Sequence, residues 1–224
     1  MEIGITILQP ASTLWLHGKS LAVGNVTVDA AGAKVSAKAE SVGWDFIAIT
    51  TDRELAPGDA TLHITYTGEI SRTLTDGVFQ QQQGNDWYIF TKFEPVTARR
   101  AFPCFDEPSY KAPWQLTLHV PAKLQAFSNT PVEAEKDEAG GMRGVRFRQS
   151  KLLPSYLVAF AVGPLEIVPT EPIGRNRVPG RIIVPRGRQP EASVRRRHHA
   201  GLIALLEEYY GTPYPYEKLD QVVV

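Results

Sequence analysis

Thr91-Lys92-Phe93-Glu94-Pro95-Val96-Thr97-Ala98-Arg99-Arg100-Ala101-Phe102-Pro103-Cys104-Phe105-Asp106-Glu107-Pro108-Ser109-Tyr110-Lys111-Ala112 is the stretch whose reading decides the fold. It follows Trp87-Tyr88-Ile89-Phe90, an aromatic and β-branched run that reads as a strand, and it stops at Pro113 before another strand pattern. Pro95, Pro103 and Pro108 remove backbone donors and fix φ, so neither a helix nor a central strand can run through the whole segment. It reads as a structured loop between two sheet elements, with at most one helical turn. Its apolar residues Phe93, Phe102, Cys104 and Phe105 predict that the loop packs down. Charges carried into a packed loop need partners, and Arg99 or Arg100 bridging Asp106 or Glu107 would supply them. Glu94 is different: it lies just past a strand end, where a scaffold can hold a carboxylate towards a cleft.

Outward from this loop the periodicity is that of strands. Ile3, Ile5 and Ile7 alternate with small polar residues until Pro10, Leu14-Trp15-Leu16 is a second strand, and residues 21–28 are a third, closed by a turn at 29–32. Residues 34–39 can pair with 44–50. There Trp44, Phe46 and Ala48 share one face and Ile47 and Ile49 the other, which predicts burial on both. Leu62, Ile64 and Tyr66 alternate with His63, which falls on the polar face and reads as solvated, because no second ligand stands at metal spacing. Residues 78–80 and 87–91 read as two strands joined by a loop over 81–86. Trp114, Leu116, Leu118 and Val120 alternate most clearly, residues 135–141 read as a charged hairpin turn, and 156–162 as a strand covered on both faces. Short strands follow at 165–168 and 181–184, with a surface loop over 170–180 between them.

From Pro190 the period lengthens. Val194, His198, Leu202, Leu205 and Tyr209 recur every three or four residues, with Pro190 early and Gly211 just past the end, as expected for a helix. Arg195-Arg196-Arg197 then lies on the first two turns and reads as a solvated face, with an acidic or nucleic-acid partner the second reading. A boundary between an all-β domain, 1–187, and the opening helix and strand of a second, 188–224, falls near residues 186–190.

Lys and Arg number 24, as do Asp and Glu, so net charge makes no case for a nucleic-acid or anionic-membrane partner. Cys104 is the single cysteine, which excludes an intrachain disulfide and a cysteine-only zinc cluster; it reads as a buried apolar residue. The opening residues have neither the basic region nor the apolar run of a signal peptide or membrane anchor, and no membrane segment is expected in this chain. The histidines are His17, His63, His119, His198 and His199, and no two are four apart. Adjacent histidines on a helix point about 100° apart, so His198 and His199 do not readily grip one metal. No metal ligands and no catalytic residues are expected here.

The central stretch resembles the signature of the aminopeptidase N family of zinc metallopeptidases, in which Thr-Gln-Phe-Glu-Pro, then Ala-Arg-Arg-Ala-Phe-Pro-Cys-Phe-Asp-Glu-Pro, then Lys-Ala follow in this order. The likeness extends to residues 155–163 and to 209–220, and covers essentially the whole chain. It implies a mainly β, multi-sheet, saddle-like amino-terminal domain whose first strands precede residue 1, followed by the start of a catalytic domain. It implies zinc in the longer enzyme, held by ligands outside this chain, and none in this fragment, which would be inactive alone. Partners implied are peptide substrates with a free amino terminus and the catalytic domain. By resemblance, Glu94 is the carboxylate that binds the substrate α-amine, and Lys92 stands where the family has a glutamine lining the first side-chain pocket. A cation there could favour acidic substrate residues, or could pair with Glu94 when substrate is absent. A cytoplasmic location is favoured, with periplasmic or secreted alternatives open. The alternative from another class is a non-catalytic β-rich binding module that kept the scaffold without the zinc site.

Overall fold

Alternation builds the first sheet. The computed structural model spans residues 1–224 and describes all side chains except those of residues 193–199, so the basic run at 195–197 and the histidines 198 and 199 lie outside the described residues. The chain forms two compact units. In the first, which takes residues 1–78, 92–111 and 154–157, strands β1 (Glu2–Ile7), β2 (Ala11–His17), β3 (Leu21–Ala30), β4 (Ala33–Val42), β5 (Phe46–Leu55) and β6 (Gly58–Gly68) form one sheet in the order β1-β6-β3-β4-β5-β2. All its pairings are antiparallel, and the register places Val28 opposite both Leu62 and Val35, and Leu16 opposite Ile47. Every second residue therefore faces one side, and Leu16, Val28, Val35, Ile47, Ile49, Leu62 and Ile64 close into a core there.

Irregularities bend this sheet. The ladder slips between Val23 and Val26. A Cβ on Gly24 would stand 2.7 Å from the Thr65 hydroxyl, so the bulge admits only glycine without displacing that side chain. The expected burial of β5 on both faces is corrected: Phe46 is exposed and Trp44, just before the strand, is 88% exposed, while Ile47 and Ile49 are buried. This antiparallel sheet packs its core on one side, so the period of two sorts the apolar residues into one buried and one open row. The pairing of β4 with β5 is as the sequence predicts.

The second unit takes residues 79–91, 112–153 and 158–224. Its elements are drawn from β7 (Gly77–Gln83), β8 (Asp86–Lys92), β9 (Lys111–Ala112), β10 (Thr117–Pro121), β11 (Gln125–Ser128), β12 (Val132–Glu138), β13 (Met142–Phe147), β14 (Leu153–Pro154), β15 (Phe160–Gly163), β16 (Leu165–Pro169), β17 (Gly180–Pro185), helix α1 (Ala192–Tyr210) and β18 (Leu219–Val222). The main sheets run β11-β15-β8-β7, β10-β13-β12 and β16-β17-β18. Phe79, Tyr88, Phe90, Phe127 and Ile183 form one core cluster, and Val120, Val145, Phe147 and Val162 another.

Three local expectations are corrected. The glutamine run belongs to β7, and only Gly84 and Asn85 separate it from β8, Gly84 taking the positive φ of 60° that a tight hairpin needs. Of the hairpin turn expected over 135–141, only Ala139–Gly141 makes the turn, and residues 135–138 belong to strand β12, whose charges pair across to β13, Glu133 with Arg146 and Glu135 with Arg143. Residues 156–162 divide into a 3₁₀ turn, Ser155–Leu157, and β15. The helix follows the sequence reading: α1 ends at Gly211 in the left-handed conformation, φ 70°. Residues 186–190 fall between β17 and α1, whose Ala192 is buried with Ile182 and Val184, and β18 returns parallel to β17, completing a strand-helix-strand unit.

Candidate functional site

The loop after β8 begins at an anchor. Phe93 is buried and meets Phe102 edge-on, ring centroids 5.5 Å apart. Thr97 closes the turn behind it, its N–H donating to the Phe93 carbonyl and its hydroxyl to the Lys92 carbonyl, both at 2.9 Å. The Glu94–Pro95 peptide is cis. Between these fixed points Lys92 and Glu94 are exposed. Neither enters an ion pair or a side-chain hydrogen bond among the described residues, and no Lys92–Glu94 pair forms.

One 3₁₀ turn, Ala98–Arg100, follows, the single helical turn that the prolines allow. The loop then runs along β2, an edge strand of the first sheet: His17 N–H donates to Cys104 O at 2.8 Å, Cys104 N–H returns to His17 O at 3.0 Å, and Lys19 N–H donates to Arg99 O. An edge that would otherwise expose its backbone groups is thereby covered.

Asp106 is the knot of the loop, 1% exposed. Oδ2 accepts from Arg99 Nε at 2.9 Å and from Arg99 N–H at 3.2 Å, and Oδ1 from the Ser155 hydroxyl at 2.6 Å. Arg99 also reaches Asp45 at 3.0 Å, and Lys19 stands 2.9 Å from the same carboxylate. Of the four pairings the sequence allows, Arg99 with Asp106 is the one that forms, whereas Arg100 sits beside Asp76 and is not part of this network. A hydrogen bond from Lys19, with Arg99 adding to it, outweighs burial and holds the Asp45 carboxyl below the ordinary value. His17 Nδ1 accepts the Asp106 N–H at 3.1 Å, which leaves that nitrogen unprotonated, and burial together with Arg99 pushes its pKa down. Burial likewise pushes the Cys104 thiol well up, so it is an inert core group and not a nucleophile.

Zinc finds no place among the described residues: no group of three His, Cys, Asp or Glu side chains could hold a metal ion. His63 lies between Asp29 at 3.0 Å and Glu2 at 3.3 Å, a paired rather than merely solvated histidine, and His119 meets Glu138 at 2.8 Å. Among the described residues no helix is long and apolar enough to cross a membrane.

Two buried charge sets in the second unit were not foreseen. Glu207 on α1 is 4% exposed and accepts backbone N–H groups from Arg175 and Tyr214, pinning the 170–180 loop and the turn after the helix. Asp220 accepts from Arg181 through both oxygens, at 2.7 and 2.6 Å, and pairs with Lys218. The spacing of Lys218 and Asp220, two apart beside a strand and so on one face, was the available signal.

Residues 1–157 match the family model of the Peptidase M1 N-terminal domain. Across its whole length the chain is similar to Aminopeptidase M1-A of Oryza sativa subsp. japonica, 30% identical and covering 26% of that protein. It is 30% identical to the puromycin-sensitive aminopeptidase of Caenorhabditis elegans over 99% of the chain and 24% of the relative, and 28% identical to the glutamyl aminopeptidase of Sus scrofa over 100% of the chain and 25% of the relative. The chain thus spans about a quarter of the length of these relatives.

Proposed function

Since the chain belongs to the Peptidase M1 N-terminal domain family, we propose that it serves a zinc-dependent aminopeptidase as the domain that shapes the substrate cleft, with Glu94 binding the substrate's α-amine. The observation that carries this reading is the contrast around Glu94. Its neighbours are fixed, Phe93 by burial and Thr97 by two hydrogen bonds, while its own carboxylate is exposed and uncommitted. A carboxylate held on a fixed backbone and facing an ammonium makes a charge-assisted hydrogen bond, and its position measures the distance from the peptide's end to the scissile bond. Removal of one residue at a time follows. Lys92, exposed two residues away, adds a positive charge near the bound terminus and favours an acidic first side chain.

Zinc in such an enzyme is bound by residues beyond those described here, so no step of the reaction is assigned to this chain; by itself it binds and orients. The test is Glu94→Gln in the longer protein that contains the catalytic domain. Loss of one charged hydrogen bond predicts a fall in kcat/KM of roughly 10- to 100-fold for substrates with a free α-amine, with zinc content unchanged. Unchanged kcat/KM would remove Glu94 from the site. A longer protein without peptidase activity on any amino-terminal substrate would favour a binding module.

A further inference from the structure

The turn that carries Glu94 is held at its ends and not between them. Phe93 and Ala98 are buried, whereas Glu94, Pro95 and Val96 are exposed, so burial does not fix the backbone of these three. Among the described residues none of the three makes a hydrogen bond. What closes the turn is Thr97. Its N–H donates to the Phe93 carbonyl and its hydroxyl to the Lys92 carbonyl, both at 2.9 Å, and its own carbonyl accepts the Arg100 N–H at 3.1 Å.

The direction of that hydroxyl is informative. Thr97 directly precedes the 3₁₀ turn Ala98–Arg100, a place where a threonine ordinarily turns its oxygen forward to accept an N–H of the turn. Here it makes no such cap and reaches back five residues to the end of β8. As a prop for the fold the bond contributes little, because it lies at the surface, where water can take the place of either partner. Its geometric effect is larger. It ties the last residue of the strand to the first held residue after the turn, and so sets the path of the exposed residues between them.

We propose that Thr97 is a positioning residue for Glu94, its hydroxyl holding the carboxylate where a peptide's ammonium group meets it. The proposal deepens, and rests on, the reading that Glu94 binds the α-amine. A carboxylate on a loose turn still attracts an ammonium, but each binding event must then order the turn, at a cost in affinity. The loss falls on ligands with a free α-amine and spares those without one, because only the former use the carboxylate. The Thr97 N–H still closes the turn when the hydroxyl is gone, so the loss is partial and smaller than that of removing the charge itself.

The experiment is a double-mutant cycle in the longer protein that contains the catalytic domain, reading the affinity for alaninamide relative to that for N-acetylalaninamide. Thr97→Val, which keeps the size and the backbone N–H, should lower this preference about 3- to 10-fold, the scale of one neutral hydrogen bond. Thr97→Ala, a second variant without the hydroxyl, should match it, and either suffices where the other fails to fold. Thr97→Ser, which keeps the hydroxyl, should stay within about twofold of the unaltered protein. In a Glu94→Gln background Thr97→Val should lower the preference no further, an outcome that a merely structural role does not give. Where Glu94→Gln alone abolishes the preference, an unchanged preference in Thr97→Val, or an equal fall in Thr97→Ser, overturns the proposal and leaves Glu94 in its place. A preference that survives Glu94→Gln overturns both.

Discussion

Removing the Asp106 carboxylate leaves Arg99, whose side chain is 11% exposed, with Asp45 as its remaining anionic partner and takes the acceptor from a buried hydroxyl and a backbone N–H. Breaking a buried pair by deleting one partner costs about 3–5 kcal/mol, so Asp106→Ala should lower the urea midpoint by a corresponding amount, whereas Arg100→Ala, outside the network, should move it little. His17 gives the same network a pH dependence. Its folded pKa lies below the unfolded value of 6.5, so its contribution to stability is full above that pH and is lost as the pH falls through the folded value. Unfolding free energy measured between pH 7 and pH 5 should therefore decline, and His17→Gln should flatten the decline. Beside Glu94, Lys92→Gln is expected to reduce kcat/KM for acidic first residues by up to about fivefold relative to neutral ones, the scale of an exposed charge pair; an unchanged ratio would leave Lys92 without a part in selection. A buried arginine–acid pair in this loop was legible because prolines, aromatics and charges were crowded into one short stretch, but the choice of Arg99 with Asp106 over Arg100 or Glu107 came only from the fold. Glu207 was not, since its partners are backbone N–H groups that leave no mark in the side-chain pattern.

Strands whose one face is apolar announced themselves, as β1, β6 and β10 do, because a period of two is visible wherever one side is dry. Those that failed to do so have a physical reason. β12 lies at the edge of its sheet and carries charge on both faces, pairing Glu133 and Glu135 with arginines of β13 instead of burying apolar surface. β5 misled in the opposite sense: its aromatic row is open and its isoleucine row buried. Packing between elements offers a sharper test at Gly163 in β15, where an added Cβ would stand 2.6 Å from the Tyr88 ring of β8. That ring is buried and its hydroxyl accepts the Arg186 N–H at 3.1 Å, so it has little room to yield. Gly163→Ala should destabilise by about 1–3 kcal/mol, read as a lowered thermal midpoint; an unchanged midpoint would mean that the aromatic layer is looser than its geometry implies.

For the molecule as a whole, the mainly β architecture and the family were both readable from a single contiguous run of residues, and the match to the Peptidase M1 N-terminal domain over residues 1–157 agrees with that reading. The interleaving of segments was not readable: residues 79–91, 112–153 and 158–224 fold together, and the parallel return of β18 onto β17 depends on contacts far apart in sequence. What the fold supplies to function, on the proposed account, is one fixed carboxylate aimed at a charged chain end. The most direct measurement is the affinity of leucinamide and of its N-acetylated form for the longer, catalytic-domain-containing protein, with and without Glu94→Gln. The account predicts that the unaltered protein binds the free amine far more tightly than the acetylated form and that Glu94→Gln removes most of that preference; a preference that survives the substitution intact would contradict it.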